Sequence, residues 1–521
     1  MTAARTATYP AVRDLRRARR RRRVATLDWV DVLYRAYVTA LLVAGALVGL
    51  VLATGGKPVS HGTVSDVRRY GPAWIGLVVA VAVGLGLRSG SRGGPLALEP
   101  ADVTHVLLGP VDRARVLRGD ALRQARGVAL IGLLVGGTAG GLASRRLPGS
   151  LAAWLATGVL VGLVLAFATW GAALLASGLR VRSAVATAVG VVLVGWSVAD
   201  VVARVTTSPA SLVGEVALWP VHFRVVAVIG VLVAVALPVA GLLLVAGVSL
   251  EAMERRSGLV GQLRFAATVQ DVRTIVVLHR QLAQEHARSD PWARLRARQA
   301  PGHACWRRGW AGIFRWPAAR VTRLIVLVAA AGAAAALAGA GTVPMVAVAG
   351  IATFLAGLDA AEALAQEADH PDIVAGMPVD RGDIIVRHVA VPIAVMLIAS
   401  LAGVAAAGLV TPSSHVVAVA AITAVPAATA CVLGAAVAVV LGARRFGVLD
   451  MMFPEFAGIG LVLRTATPPA IAIAGFIPAV AAGQAAHGTD PAIAAAATLP
   501  VVAAVVLAAA GFVVWWARNR L

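Results

Sequence analysis

Apolar residues fall into blocks of roughly 17 to 27 along this chain, and about 20 apolar residues in a helix cross the hydrocarbon layer of a bilayer. Arginine-rich or Pro/Gly-rich breaks separate the blocks. Backbone polar groups in lipid must be hydrogen-bonded within a helix or in a closed barrel. The short polar and apolar alternation of barrel strands is absent from the sequence. The pattern therefore predicts an all-α polytopic membrane protein.

About 12 transmembrane helices are predicted from these blocks, as two repeated six-helix halves. The spans of the first half lie at about 36–54, 73–87, 127–143, 151–175, 184–203 and 225–248. Those of the second half lie at about 324–341, 343–358, 389–410, 416–442, 446–463 and 491–516. Asp450, Pro454 and Glu455 interrupt the eleventh span, so we expect it to be tilted, broken or partly exposed to water.

Composition supports this fold class. The 521 residues are 59% hydrophobic and 14% charged, with a mean hydropathy of +0.83, whereas soluble chains carry about 25% charged residues. The two cysteines, Cys305 and Cys431, lack metal or redox spacing, so neither zinc nor a disulfide scaffold is expected. The first apolar block follows a long basic segment and lacks a small-residue cleavage site. We interpret it as a retained span.

The net charge of +22 would suggest a nucleic-acid partner in a soluble chain. Here the basic residues follow membrane sidedness, because an N-terminus in the cytoplasm places most of the 47 Lys and Arg residues on the inner side. Trp515 and Trp516, followed by Arg518 and Arg520, end the last span as an interfacial anchor. Both termini are therefore predicted to be cytoplasmic, in a multi-pass protein of the cell membrane without a nucleic-acid partner.

A sequence repeat follows the second and eighth predicted spans. In each copy an acidic residue precedes a valine and a Pro-Val-Asp-Arg string at one fixed spacing. The first copy consists of Glu99, Val106, Pro110, Val111, Asp112 and Arg113. The second consists of Glu367, Val374, Pro378, Val379, Asp380 and Arg381. The recurrence at matching positions indicates that the two halves are duplicated.

Two further features recur in both halves. A short apolar stretch follows Pro209 in the first half and Pro469 in the second; each is too short to cross, so we expect it to dip into the membrane and return. An amphipathic, tryptophan-bearing segment precedes each half, and we expect it to be an elbow helix in the cytoplasmic interface. The chain then divides into a basic N-terminus (1–35), a first permease-like half (36–250), a basic linker with the second elbow helix (251–323) and a second half (324–521).

Catalytic chemistry is not indicated. The one lysine, Lys57, is followed by proline, so the chain has no Walker loop, and it has no nucleophile elbow or metal motif. We therefore expect no enzyme activity and no cofactor. The ionisable residues within or beside spans are Asp200, Glu215, Asp359, Glu362, Asp450 and Glu455. We expect each to be solvated or paired with an arginine, with Glu455 as the exception.

The repeated loop, the elbow helices and the paired dips resemble the permeases of type 2 ABC exporters, here two such permeases fused in tandem. In that family the loop between spans two and three includes a coupling helix that docks on a separate ATPase subunit. The resemblance implies two ATPase copies as partners. By position it assigns the docking loops to Glu99, Pro110, Asp112 and Arg113, and to Glu367, Pro378, Asp380 and Arg381.

Two other functions stay open at this point. A proton-coupled secondary transporter would use an intramembrane carboxylate, for which Glu455 is the best candidate. A membrane scaffold without transport activity would instead anchor a complex through the basic linker. No pattern in the sequence identifies an exported substrate.

Overall fold

The structure is a computed structural model that describes residues 14, 18, 45, 49, 59–96, 98, 103–107, 112–251, 253–254, 257, 290–293, 304–369, 381–442, 466–485 and 489–519. All regular structure within these residues is helical. The chain forms two compact units, Met1–Thr268 and Val269–Leu521. The division falls within the predicted linker.

The described part of the first unit has five long helices and one short one. They are α1 (His61–Ser91), α2 (Arg113–Ser144), α3 (Leu151–Gly178), α4 (Ser183–Ala203), the short α5 (Pro209–Ala217) and α6 (Ala227–Leu244). Several begin at a side-chain cap that satisfies a free backbone amide. Ser60, Ser150 and Ser208 each accept a hydrogen bond from the amide three residues on.

The described part of the second unit includes two bent helix pairs. Its helices are α7 (Ala304–Ile313), α8 (Ala318–Gly339), α9 (Met345–Ala360), α10 (Glu362–Asp369), α11 (Arg381–Val410), α12 (Ser414–Gly442), α13 (Ala466–Ala474), α14 (Ile477–Gln484), α15 (Pro491–Ala497) and α16 (Leu499–Asn519). The α9 and α10 axes differ by 61°, and those of α13 and α14 by 51°.

Nine helices among the described residues are long and apolar enough to cross a membrane, or up to 11 if each bent pair counts as one span. Ten of the predicted spans coincide with these helices or pairs in position. The first and eleventh, 36–54 and 446–463, lie outside the described residues apart from Gly45 and Gly49. The described part of the chain therefore has the architecture of a multi-pass α-helical membrane protein.

Close backbone contact joins α2 and α3 in the first unit. A Cβ atom added at Gly136 would lie 2.2 Å from the carbonyl oxygen of Gly158, and one at Gly140 would lie 2.2 Å from that of Trp154. Small residues promote helix association in membranes because they let backbones approach. The α3 helix also contacts α1 and α6, so it is the central helix of the unit.

The second unit is likewise organised around one central helix, α12. This helix contacts α9, α11 and α16, and its buried residues belong to the largest apolar core of the unit. In both units the short segment at the predicted dip packs against a glycine-bearing helix from earlier in the same unit, α1 in the first and α9 in the second. A Cβ atom at Gly76 of α1 would meet Ser211 of α5, and one at Gly350 of α9 would meet Ile473 of α13.

Gly136→Ala should destabilise the first unit, because the added methyl would force α2 and α3 apart. Gly137→Ala is the matched control, since a Cβ atom there meets only an ordinary van der Waals contact with Val159, and alanine favours the helix over glycine by about 1 kcal/mol. The apparent unfolding temperature of the purified protein in detergent should fall for the first variant alone. Equal behaviour of the two variants would contradict the proposed packing.

Candidate functional site

The repeated loop is described only in part. Glu99, Pro110, Pro378 and Asp380 lie outside the described residues, as does Glu455. Arg381 is the first residue of α11, with only its backbone described. The side chains of Asp112, Arg113 and Glu367 are described, and they occupy different environments.

In the first copy, Asp112 starts the helix that follows the loop. Its Oδ1 atom accepts a hydrogen bond from the Ala114 amide at 2.9 Å, and its Oδ2 atom lies 3.3 Å from Arg115 Nε. An aspartate at this position satisfies a free amide of the first turn. Arg113 is exposed beside it. This copy of the motif thus defines a helix start and presents a basic side chain at the surface.

In the second copy, Glu367 is an internal residue. Its carboxylate is 4% exposed, and Oε1 lies 2.6 Å from Arg308 NH1 and 4.0 Å from His388 Nε2. Arg308 belongs to α7, Glu367 to α10 and His388 to α11. A buried carboxylate needs a partner of opposite charge. The pair therefore fastens α7, which lies at the position of the predicted second elbow helix, to α10.

The imidazole of His388 is oriented by its own helix. Its Nδ1 atom lies 2.8 Å from the Ile384 carbonyl oxygen, which can only accept, so Nδ1 carries the hydrogen. Nε2 has no hydrogen-bond partner among the described residues and faces Glu367. We refer to Arg308, Glu367 and His388 as the elbow cluster.

Arginines near the start of α8 pair with acids near the end of α9 and the start of α10. Arg320 pairs with Glu362, and Arg323 Nε donates to Asp359 Oδ2 at 2.8 Å. The Arg320 guanidinium also lies over the Trp316 ring, 4.3 Å from its centroid. The expected arginine partners of Asp359 and Glu362 are thus confirmed. These bonds hold the junction of α9 and α10 against α8.

A polar contact joins the helix after each loop to a later helix of the same unit. In the first unit, Arg118 of α2 donates to the carbonyl oxygens of Leu242 and Leu243 of α6, at 3.0 and 3.3 Å. In the second, Asp383 of α11 lies 3.3 Å from Arg518 of α16. Basic side chains bind the free carbonyls at helix C-termini in this way. Sequence patterns do not reveal these contacts, because the partners are far apart in the chain.

The prediction for Asp200 was wrong. This side chain is 1% exposed, so it is not solvated, and its oxygens accept hydrogen bonds from the Thr207 and Ser208 amides and the Ser211 hydroxyl. Neutral donors at the start of α5 therefore satisfy it in place of an arginine. The Ser208-Pro209 pair is typical of a helix start, and it is the sequence feature that could have indicated free donors near Asp200. Glu215 does pair with an arginine, at 2.7 Å from Arg224.

No group of three or more metal-ligating side chains occurs in the described part of the chain. No protein-family model matches the sequence, and neither a curated protein nor a solved structure matches it. The candidate site therefore rests on the geometry around the second loop.

Arg308→Ala should destabilise the second unit by roughly 1 to 3 kcal/mol, because it leaves the Glu367 carboxylate buried without its cation. Adding Glu367→Gln should recover part of that loss, since a neutral amide costs less to bury. Apparent unfolding temperatures of the single and double variants in detergent provide the comparison. A double variant less stable than Arg308→Ala alone would contradict the ion pair as the cause.

Proposed function

We propose that the chain is the membrane-spanning permease component of an ABC-type exporter, energised by a separate ATPase subunit. The observation that carries the proposal is the contact between the helix after each loop and a later helix of the same unit, from Arg118 to α6 and from Asp383 to Arg518 of α16. A force applied to either loop would act on two helices at once. An energy-coupling element requires such a connection.

The elbow cluster supports the same proposal. Glu367 begins the second loop and is bound to α7 through Arg308, while α11 follows the loop and carries His388. Displacement of the loop would therefore act on the elbow helix and on α11 together. In the first unit the exposed Arg113 is available to an acidic partner surface. Polar, reversible contacts suit a docking surface that must release in each cycle.

In this proposal the chain has 12 spans in two halves of six, with both termini in the cytoplasm and the protein in the cell membrane. One ATPase copy docks on the loop after span two, at Glu99, Pro110, Asp112 and Arg113. The other docks on the loop after span eight, at Pro378, Asp380 and Arg381, while Glu367, buried against Arg308, anchors the beginning of that loop. ATP binding and hydrolysis there alternately open and close a pathway for the exported substrate.

The test is co-purification with an ABC ATPase encoded beside this chain. The wild-type chain should retain the ATPase through affinity purification, and Arg113→Glu combined with Arg381→Glu should lower its recovery at least tenfold, because repulsion replaces attraction at both loops.

Arg126→Glu combined with Arg182→Glu is the matched control, since both arginines are exposed in the first unit outside the loop. This variant should retain the ATPase. Failure of the wild type to associate would refute the proposal, as would equal recovery with the loop variant.

A further inference from the structure

The C-terminal end of α1 carries two arginines, Arg88 in its last turn and Arg92 at its cap. Four residues separate them, so the two side chains are neighbours on the helix surface, and their positive charges repel each other. Among the described residues neither arginine has an acidic partner. Two adjacent cations without a carboxylate favour the binding of an anion.

A neutral group of α4 orients Arg88. The NH1 atom of Arg88 donates to the Thr187 hydroxyl oxygen at 2.9 Å, and that hydroxyl donates in turn to the Ser183 carbonyl oxygen at 2.7 Å. Arg88 is half-buried in this contact. A hydroxyl does not neutralise a guanidinium, so the charge of Arg88 stays uncompensated. Its other N–H groups remain available to an acceptor.

Backbone contact with α3 fixes the end of α1 that carries these arginines. A Cβ atom added at Gly86 would lie 2.3 Å from the Thr169 carbonyl oxygen, and one at Gly90 would lie 2.2 Å from that of Ala173. Helices this close have little freedom to move against each other. The two guanidinium groups are therefore presented from a rigid helix end.

An exposed apolar strip on α1 leads to the same arginines. Val78 and Leu85 are 59% and 62% exposed, and Arg92 follows Leu85 at the same spacing of seven residues, so all three lie on one side of the helix. Seven residues of helix rise about 10 Å, less than the hydrocarbon depth of one leaflet, which is about 15 Å. Because α1 is a candidate membrane span, the strip meets acyl chains and the arginines lie at the level of the headgroups.

We propose that Arg88 and Arg92 bind the phosphate of an anionic phospholipid, one acyl chain of which lies along Leu85 and Val78. The paired donors of a guanidinium match the oxygens of a phosphate group, and the apolar strip provides the contact for the chain. A phospholipid supplies both parts in one molecule, whereas a soluble anion would contact only the arginines. The proposal concerns lipid recognition and does not depend on the transport function.

The experiment is native mass spectrometry of the full chain in detergent, with phosphatidylglycerol or phosphatidylcholine of identical acyl chains. The wild-type chain should retain phosphatidylglycerol in preference to phosphatidylcholine. Arg88→Gln with Arg92→Gln should weaken phosphatidylglycerol binding roughly tenfold, because two headgroup-level charges are lost. Arg88→Lys with Arg92→Lys should keep most of the binding, which separates loss of charge from loss of fold.

Arg68→Gln with Arg69→Gln is the matched control, because it removes two exposed arginines from the opposite end of α1. It should leave lipid binding unchanged. Equal retention of the two lipids by the wild type would overturn the proposal, and so would undiminished phosphatidylglycerol binding by the variant with glutamine at positions 88 and 92. Equal losses in the Gln and Lys variants would show that charge is not the cause, and release of the lipid by an equimolar amount of inorganic phosphate would identify a site for free anions. Either result would also overturn it.

Discussion

A peptide group in hydrocarbon has no water to bind, and each long apolar block in the described part of the chain accordingly forms helices that satisfy their own amides. Helices formed in this way gain little from hydrophobic association, because the lipid around them is as apolar as their side chains. Close backbone approach at small residues holds the helices together in place of hydrophobic association. The chain contains 54 glycines, and five of those in α2 and α3 lie where an added methyl would collide with the facing backbone: Gly132, Gly136, Gly140, Gly158 and Gly162. The arrangement of helices in each unit follows from these contacts.

The same constraint confines most charged chemistry to helix ends. In the second unit, the arginines at the start of α8 pair with acids near the α9–α10 junction, and Glu367 pairs with Arg308 of α7. One face of α7 meets the core, and Arg308 on its other face reaches Glu367.

The positions of the helices could be predicted from the sequence because hydropathy alone locates them. The arginine partners of Asp359 and Glu362 could be expected because burial of an unpaired charge is costly. The network around Asp200 could not, since its donors are backbone amides and hydroxyls whose arrangement depends on the turn before α5. Composition likewise does not reveal that Glu367 is buried, because its partner Arg308 comes from a helix distant in the chain.

The glycine contacts between α2 and α3 also have a mechanical consequence. Two helices in backbone contact along several turns cannot slide or tilt against each other without collision, so they move as one rigid pair. Arg118 connects this pair to α6. The contact between α1 and α4 is looser, because a Cβ atom added at Gly84 would lie 3.3 Å from the Gly190 Cα atom. A displacement of α2 would therefore carry α3 with it, while α1 and α4 keep more freedom to move against each other.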